Sequence, residues 1–472
     1  MAQDAVNEVL ASLLTELGWT PRALARRINR VSGVGTVAET APYHWRDAGR
    51  VPRPPLPALT AWVFSRELGR PITIAELWQG RAAASPLTLP ADVEMDQPWT
   101  HAGALSVIDD WVVSGLLDRR FFLTVSGSVL TAIASDYLGC APGGLSRALA
   151  GHPVGHPLLE QIEQSIPLLQ RLDDANGGGA HLAYVGAQFR AVALLVRQGG
   201  HLEPVERRLF AALAELGQLA GWMAFDAGQH GLAQRYFLTA LRASNEAGYR
   251  SMAAHVLADL AFQAAAREHA GDAIGLGEAA VEVAADTPTT VRASVASRLA
   301  YGYAVAGRMG DFERAYQSGL DTLADRCDAD EPAWMYFLTP NHLDTQAGYA
   351  LTHAGVLAHG ADDAGTQRSL LRRGTRLLRT GAYALPLDHA AQRRALFEGA
   401  WLAVATASQG DLEQACTVGR LTVARTQTVH SQRSTDVLAI LAGQLRRRNR
   451  NEHVADFLPG LQIALAGKVE PS

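Results

Sequence analysis

The sequence predicts an all-α protein: a small five-helix N-terminal unit followed by a long array of paired helices. Three observations carry this expectation. Alanine, leucine and arginine dominate while β-branched runs stay short, a composition that favours helix over sheet. Apolar residues recur at helical spacing between glycine-containing turns. Small residues placed just after such turns return about every 40 positions in the second half of the chain. A length of 472 residues exceeds what one core organises, and 48% hydrophobic with 19% charged residues excludes wholesale disorder.

The first helix is expected over Asp4–Leu17, with Val6, Val9, Leu10, Leu13, Leu14 and Leu17 on one face and Gly18 as its stop. Thr20 reads as the N-cap of the second helix and Pro21 as its first residue; Leu24, Ala25 and Ile28 face inward. A third helix opens at Thr40, tolerates Pro42 in its first turn, carries Tyr43-His44-Trp45-Arg46 and closes before Gly49. The fourth covers about Leu56–Leu68, and a short fifth contains Ile74–Leu77.

Charge is distributed unevenly. Ten arginines against four acids give Trp19–Arg81 a net charge of +6, which leaves −11 for the rest of a chain whose total is −5. A basic head on an acidic body fits a nucleic-acid-binding unit joined to a body that does not bind nucleic acid.

The five-helix order resembles the lambda-repressor-like helix-turn-helix family. Gly18-Trp19-Thr20, Leu24-Ala25, Trp45 with Gly49 and Pro52, Leu68-Gly69-Arg70-Pro71-Ile72-Thr73 and Glu76-Leu77 carry the resemblance. In that family the third helix enters the major groove. Carried over by position, the resemblance implies base or nearby backbone contacts from Thr40, Tyr43, His44 and Arg46, with Trp45 as core anchor. Arg22, Arg50 and Arg53 are the implied phosphate clamps. The stretch Asn29–Glu39 before the third helix is longer than the family turn, and a re-aimed or degenerate reading helix would follow from it.

Residues 1–80 are thus the head, and 81–117, with Pro86, Pro90, Pro98 and no helical period, read as a linker. Residues 118–157 hold a connecting helix and a Gly/Pro-rich loop. Arg119-Arg120-Phe121 and Leu138-Gly139-Cys140 resemble export and lipoprotein signals but lie far from the N-terminus, and the uncharged run 121–135 is too short to span a membrane. No membrane association is expected. Cys140, Cys327 and Cys416 form no CxxC pair, which supports neither a zinc site nor a disulfide framework.

From 158 to 466 the chain reads as repeats. Ala233, Ala273 and Ala315 follow Gly-containing turns, and Ala415 follows Gly410-Asp411. Small residues recur there because paired antiparallel helices must approach closely. These units resemble tetratricopeptide repeats, and the resemblance implies an α-solenoid with a concave binding surface. Within it Trp334, Tyr336, Phe337, Asn341 and Tyr349 are the candidate ligand-binding residues, since clustered aromatics beside polar amides suit a recognition pocket. An aromatic seam between two repeats is the alternative.

No Walker A loop, GxSxG elbow, HExxH or Rossmann fingerprint occurs. Asp173-Asp174 are expected to diverge on a helix, and Gly177-Gly178-Gly179 lacks a preceding strand. No catalytic residue, metal ligand or cofactor is therefore expected. The layout as a whole resembles actinobacterial regulators of development and secondary metabolism, and the quorum-sensing peptide receptors of Gram-positive bacteria. It implies a cytoplasmic, nucleoid-associated homodimer that binds double-stranded DNA under control of a peptide, small molecule or protein partner. The alternative is an interaction adaptor that sequesters another regulator.

Overall fold

The computed structural model describes residues 6–32, 37–53, 56–68, 70, 72–79, 98–106, 156–199, 201–326, 331–358 and 364–466. The expectations placed on Cys140, Cys327, Arg119-Arg120, the run 121–135 and the Gly/Pro-rich loop before His156 lie outside these residues. Every described element is helical and no strand occurs among them, so the fold is all-α as the sequence predicts. The chain divides into two units.

The N-terminal unit contains α1 (Glu8–Glu16), α2 (Pro21–Ser32), α3 (Ala41–Asp47), α4 (Leu56–Leu68) and α5 (Ile74–Leu77). Helix α1 begins later than its apolar stripe suggested, because Asn7 caps it: Oδ1 accepts the Leu10 N–H at 3.0 Å. The same side chain donates to the Leu77 carbonyl at 3.0 Å, and the Asn7 N–H donates to the Arg46 carbonyl at 2.8 Å. One buried amide therefore ties α1 to the ends of α3 and α5, while Val6 is left exposed. Thr20 caps α2 as expected, with Oγ1 accepting the Ala23 N–H at 3.1 Å. Leu10, Leu14, Leu24, Ile28, Trp45, Phe64 and Trp78 form the core. Trp45 meets Trp78 edge-on at 5.9 Å, and Trp78 Nε1 donates to the Pro57 carbonyl at 3.0 Å.

Among the described residues the second unit continues with seven antiparallel pairs. They are α6 (His156–Asn176) with α7 (Gly178–Gln198), α8 (Glu203–Asp226) with α9 (His230–Ala247), and α10 (Arg250–Ala266) with α11 (Ala270–Ala284). Next come α12 (Thr289–Val305) with α13 (Met309–Ala324), α14 (Pro340–Leu357) with α15 (Ala364–Leu378), α16 (Gln392–Gln409) with α17 (Leu412–Arg425), and α18 (Gln432–Arg446) with α19 (Glu452–Ala466). The first helices of successive pairs, α8 through α18, pack on one another and form the inner layer. Ala233, Ala273 and Ala415 sit fully buried near the starts of α9, α11 and α17, where the paired helices cross.

The array closes on itself: α18 packs against α8, and α6 packs against α16. Asp226, at the end of α8, is the fastening point. Its carboxylate accepts from the Gly178 N–H at 3.1 Å, the Ser431 hydroxyl at 2.9 Å and Arg433 Nε at 3.1 Å. Two backbone bonds lock the same seam, from Gly179 N–H to the His430 carbonyl (2.9 Å) and from His430 N–H to the Asn176 carbonyl (2.7 Å). The glycine run is thus a joint. Gly177 takes φ +76°, and a Cβ on Gly178 would fall 2.2 Å from the Met223 carbonyl oxygen.

Within the stretch expected as linker, residues 98–106 are the described part, and they are folded. Residues 101–106 are helical, and His101 inserts between Glu206 and Glu246 at 3.8 and 3.7 Å. Arg242 lies 4.6 Å over the Trp99 ring. Single anchors of this kind leave no periodic trace in sequence. Among the described residues one helix, over Gly178–Arg197, is long and apolar enough by composition to cross a membrane; here it is the second helix of the first pair.

Candidate ligand pocket and candidate nucleic-acid surface

The inner layer encloses a cavity of about 320 Å³, lined by residues from six different inner helices and α6. Its apolar walls are Trp222 of α8, Phe262 of α10, Tyr349 of α14 and Phe397 of α16. The rings brace one another: Trp222 lies 5.6 Å from Phe262, Phe262 lies 5.9 Å from Tyr349, and Tyr349 lies 5.2 Å from Phe397. Edge-on and tilted packing of this kind fixes the wall more firmly than aliphatic contact alone.

Four arginines enter the same space, each held by carboxylates. Arg393 Nε lies 3.0 Å from Asp173 and its Nη2 lies 2.9 Å from Asp174. The two aspartates expected to diverge therefore converge on one guanidinium, because Arg393 arrives from α16 across the junction with α6. Arg433 pairs with Asp226 at 3.1 Å and stacks 4.0 Å over Phe397. Arg394 pairs with Glu398, which also accepts from Thr345 Oγ1 at 2.9 Å. Arg298 reaches Asp259 through Nη2 at 3.1 Å, with Phe262 and Trp222 about its guanidinium at 5.0 and 5.1 Å.

Burial governs protonation here. It pushes the Asp173 carboxyl up to about 7 against the pull of Arg393. It drives the His255 imidazole down to about 4, and it drives His342 well below the usual range with help from Arg394, Arg298 and Arg393. Both histidines are neutral at pH 7. Gln218 Nε2 donates to Asp259 at 2.6 Å and lies 3.2 Å from His255 Nε2. Since that amide nitrogen only donates, His255 Nε2 accepts and its proton resides on Nδ1.

Of the residues expected at a ligand site, Trp334, Tyr336, Phe337 and Tyr349 line this cavity. Tyr336 stands half exposed at the rim, with its hydroxyl donating to Asp174. Asn341 stands behind the wall: Oδ1 accepts from Arg394 Nη2 at 3.0 Å and Nδ2 donates to the Thr380 carbonyl at 2.7 Å. The seam alternative is present as well, since Trp334 Nε1 donates to the Tyr249 hydroxyl at 2.8 Å. Sequence reasoning missed Trp222, His255, Phe262, Arg298, Arg393, Phe397 and Arg433. They come from five helices, α8, α10, α12, α16 and α18, spread over about two hundred residues, and only the packing of those helices assembles them.

In the head, Thr40 precedes α3 with an exposed, uncapped hydroxyl, and Tyr43 and His44 are exposed on its first turns. Arg46 is turned onto its neighbour Asp47 at 2.6 and 3.0 Å, and Arg50 and Arg53 are exposed just beyond the helix. Arg22 is not free. It and Arg26 both bond Glu39, which holds that carboxyl below its usual range. The long connection before α3 is pinned at its far end by Asn29, whose amide donates to the Val37 carbonyl at 2.8 Å and accepts the Val37 N–H at 2.7 Å.

Residues 10–78 match the family model of the SP15 N-terminal domain, a span that takes in almost all of α1–α5. No curated protein matches the chain. Among the described residues no group of three His, Cys, Asp or Glu side chains is placed to hold a metal ion.

Proposed function

We propose that this chain is a DNA-binding transcription regulator whose helical array receives an effector in its central pocket. The observation that carries the reading is the cavity itself: an aromatic box holding desolvated arginines, closed by a ring of helices, is a receptor and not a plain scaffold. On the head, α3 presents Thr40, Tyr43 and His44 outward, and Arg50 and Arg53 extend the basic surface. A homodimer working at the nucleoid in the cytoplasm would set two such helices on half-sites about 34 Å apart. Control of DNA binding then requires the effector to favour one arrangement of the protein over another.

One observation favours the adaptor reading. Glu39 bonds both Arg22 and Arg26 beside α3, which offsets one of their two charges and draws both side chains toward a protein carboxylate instead of a phosphate. The test is enrichment of genomic fragments by the full chain at two salt concentrations, beside an Arg46→Ala/His44→Ala variant. Selective enrichment of a palindrome, lost in the variant and falling steeply with salt, is the expected result. Absence of enrichment at both salts, with cell extract added, overturns the regulator in favour of the adaptor.

A further inference from the structure

The pocket's unmatched atoms include the Asp173 Oδ1 acceptor, but a group of unmatched donors lies on Arg298 and His255, and these narrow the class of effector. Arg298 is 4% exposed and uses only Nη2, on Asp259; Nε and Nη1 have no hydrogen-bond partner. Three N–H donors of a charged group are thus buried without an acceptor, a state whose cost a bound acceptor removes. His255 adds a fourth donor, because its Nδ1 carries the proton and is also unpartnered. Resting on the receptor reading above, we propose that the central pocket takes a small organic acid. Its carboxylate sits on Arg298, and its flat or branched apolar body lies among Trp222, Phe262 and Tyr349.

Size and charge both bear on this. A volume of about 320 Å³ is at the lower end of small-molecule pockets and suits a body of one or two rings. The other three arginines of the wall are each engaged by carboxylates, Arg393 by two of them. A single planar oxyanion matches the Nε and Nη1 donors that Arg298 has left beside its contact with Asp259. A cation is disfavoured by the guanidinium that faces it. The aromatic walls account for the apolar remainder of the ligand.

The experiment is a library of small carboxylic acids, beginning with indole-3-acetate, phenylacetate and isocaproate, each beside its primary amide and its amine. Binding to the full chain is read by saturation-transfer NMR and titration calorimetry. Acids are expected to bind about tenfold or more tightly than their amides, with amines silent, and Arg298→Gln to cost about tenfold in acid affinity. Because that change strands Asp259, the double variant Arg298→Gln/Asp259→Asn removes both charges together and must show the same loss with its helical circular dichroism retained. Amides that bind as well as acids, acid binding that survives in both variants, or a library with no binding acid each overturn the proposal. DNA enrichment is measured on the same preparation: acids that bind a chain inert toward DNA leave the ligand class standing and remove the regulator. DNA binding with no preference for acids does the reverse.

Discussion

Replacing Asp226 with asparagine tests whether one carboxylate fastens the array into a ring. Asp226 has no solvent exposure and accepts from Gly178, Ser431 and Arg433, so it joins the ends of two segments more than two hundred residues apart. Asparagine preserves the shape but removes the charge, and it turns one acceptor into an amide that faces a donor. Arg433 is left buried without its counter-ion. Breaking one side of a buried ion pair costs about 3–5 kcal/mol, and the lost hydrogen bonds fall within that figure. The loss should be local, since stacked pairs are stabilised through nearest neighbours. Urea denaturation of the full chain gives the total, and hydrogen exchange gives its place. Protection should fall in α6, α7, α18 and α19 while α10–α13 keep theirs. Asp226→Asn/Arg433→Gln, which removes both charges, should recover part of the loss. A change below about 1 kcal/mol, or an even loss of protection across the array, would refute the closure mechanism.

Three further outcomes follow from the same geometry. Gly178→Ala places a methyl group 2.2 Å from the Met223 carbonyl, and should destabilise the chain by about 1–3 kcal/mol in denaturant titration with the exchange signature of an opened seam. Acid should weaken the array through His255. Its folded value of about 4 lies below the ordinary 6.5, so its stability contribution is present above pH 6.5 and is lost at about 1.4 kcal/mol per pH unit as the pH falls toward 4. A His255→Gln variant should show a shallower decline in melting temperature over that window. His101 has the opposite sign: the carboxylates of Glu246 and Glu206, at 3.7 and 3.8 Å, raise it above its ordinary value of 6.5. Its anchoring is full below that pH and is lost as the pH rises through the raised value, so proteolysis between residues 98 and 106 should accelerate at alkaline pH, and a His101→Ala variant should be cut quickly throughout.

The helices and much of their order are legible in the amino-acid pattern. Helical apolar spacing, Thr20 and Pro21 at the start of α2, Pro42 in the first turn of α3 and the small residues at Ala233, Ala273 and Ala415 are local signals, since caps and close crossings depend on a few neighbouring residues. The aromatic cluster at Trp334, Tyr336 and Phe337 was also legible, because those residues are contiguous. Where the polar residues go was not. Asp173 and Asp174 share Arg393, and Gly177–Gly179 join α7 to the residues before α18, only because the array curves until its ends meet, while Arg298 stands among rings from α8 and α10 because successive pairs stack. That curvature is the sum of small rotations between successive pairs, set by side-chain packing over about three hundred residues. No local pattern encodes such a sum, so tertiary structure alone decided that the array encloses a pocket and which charges face into it.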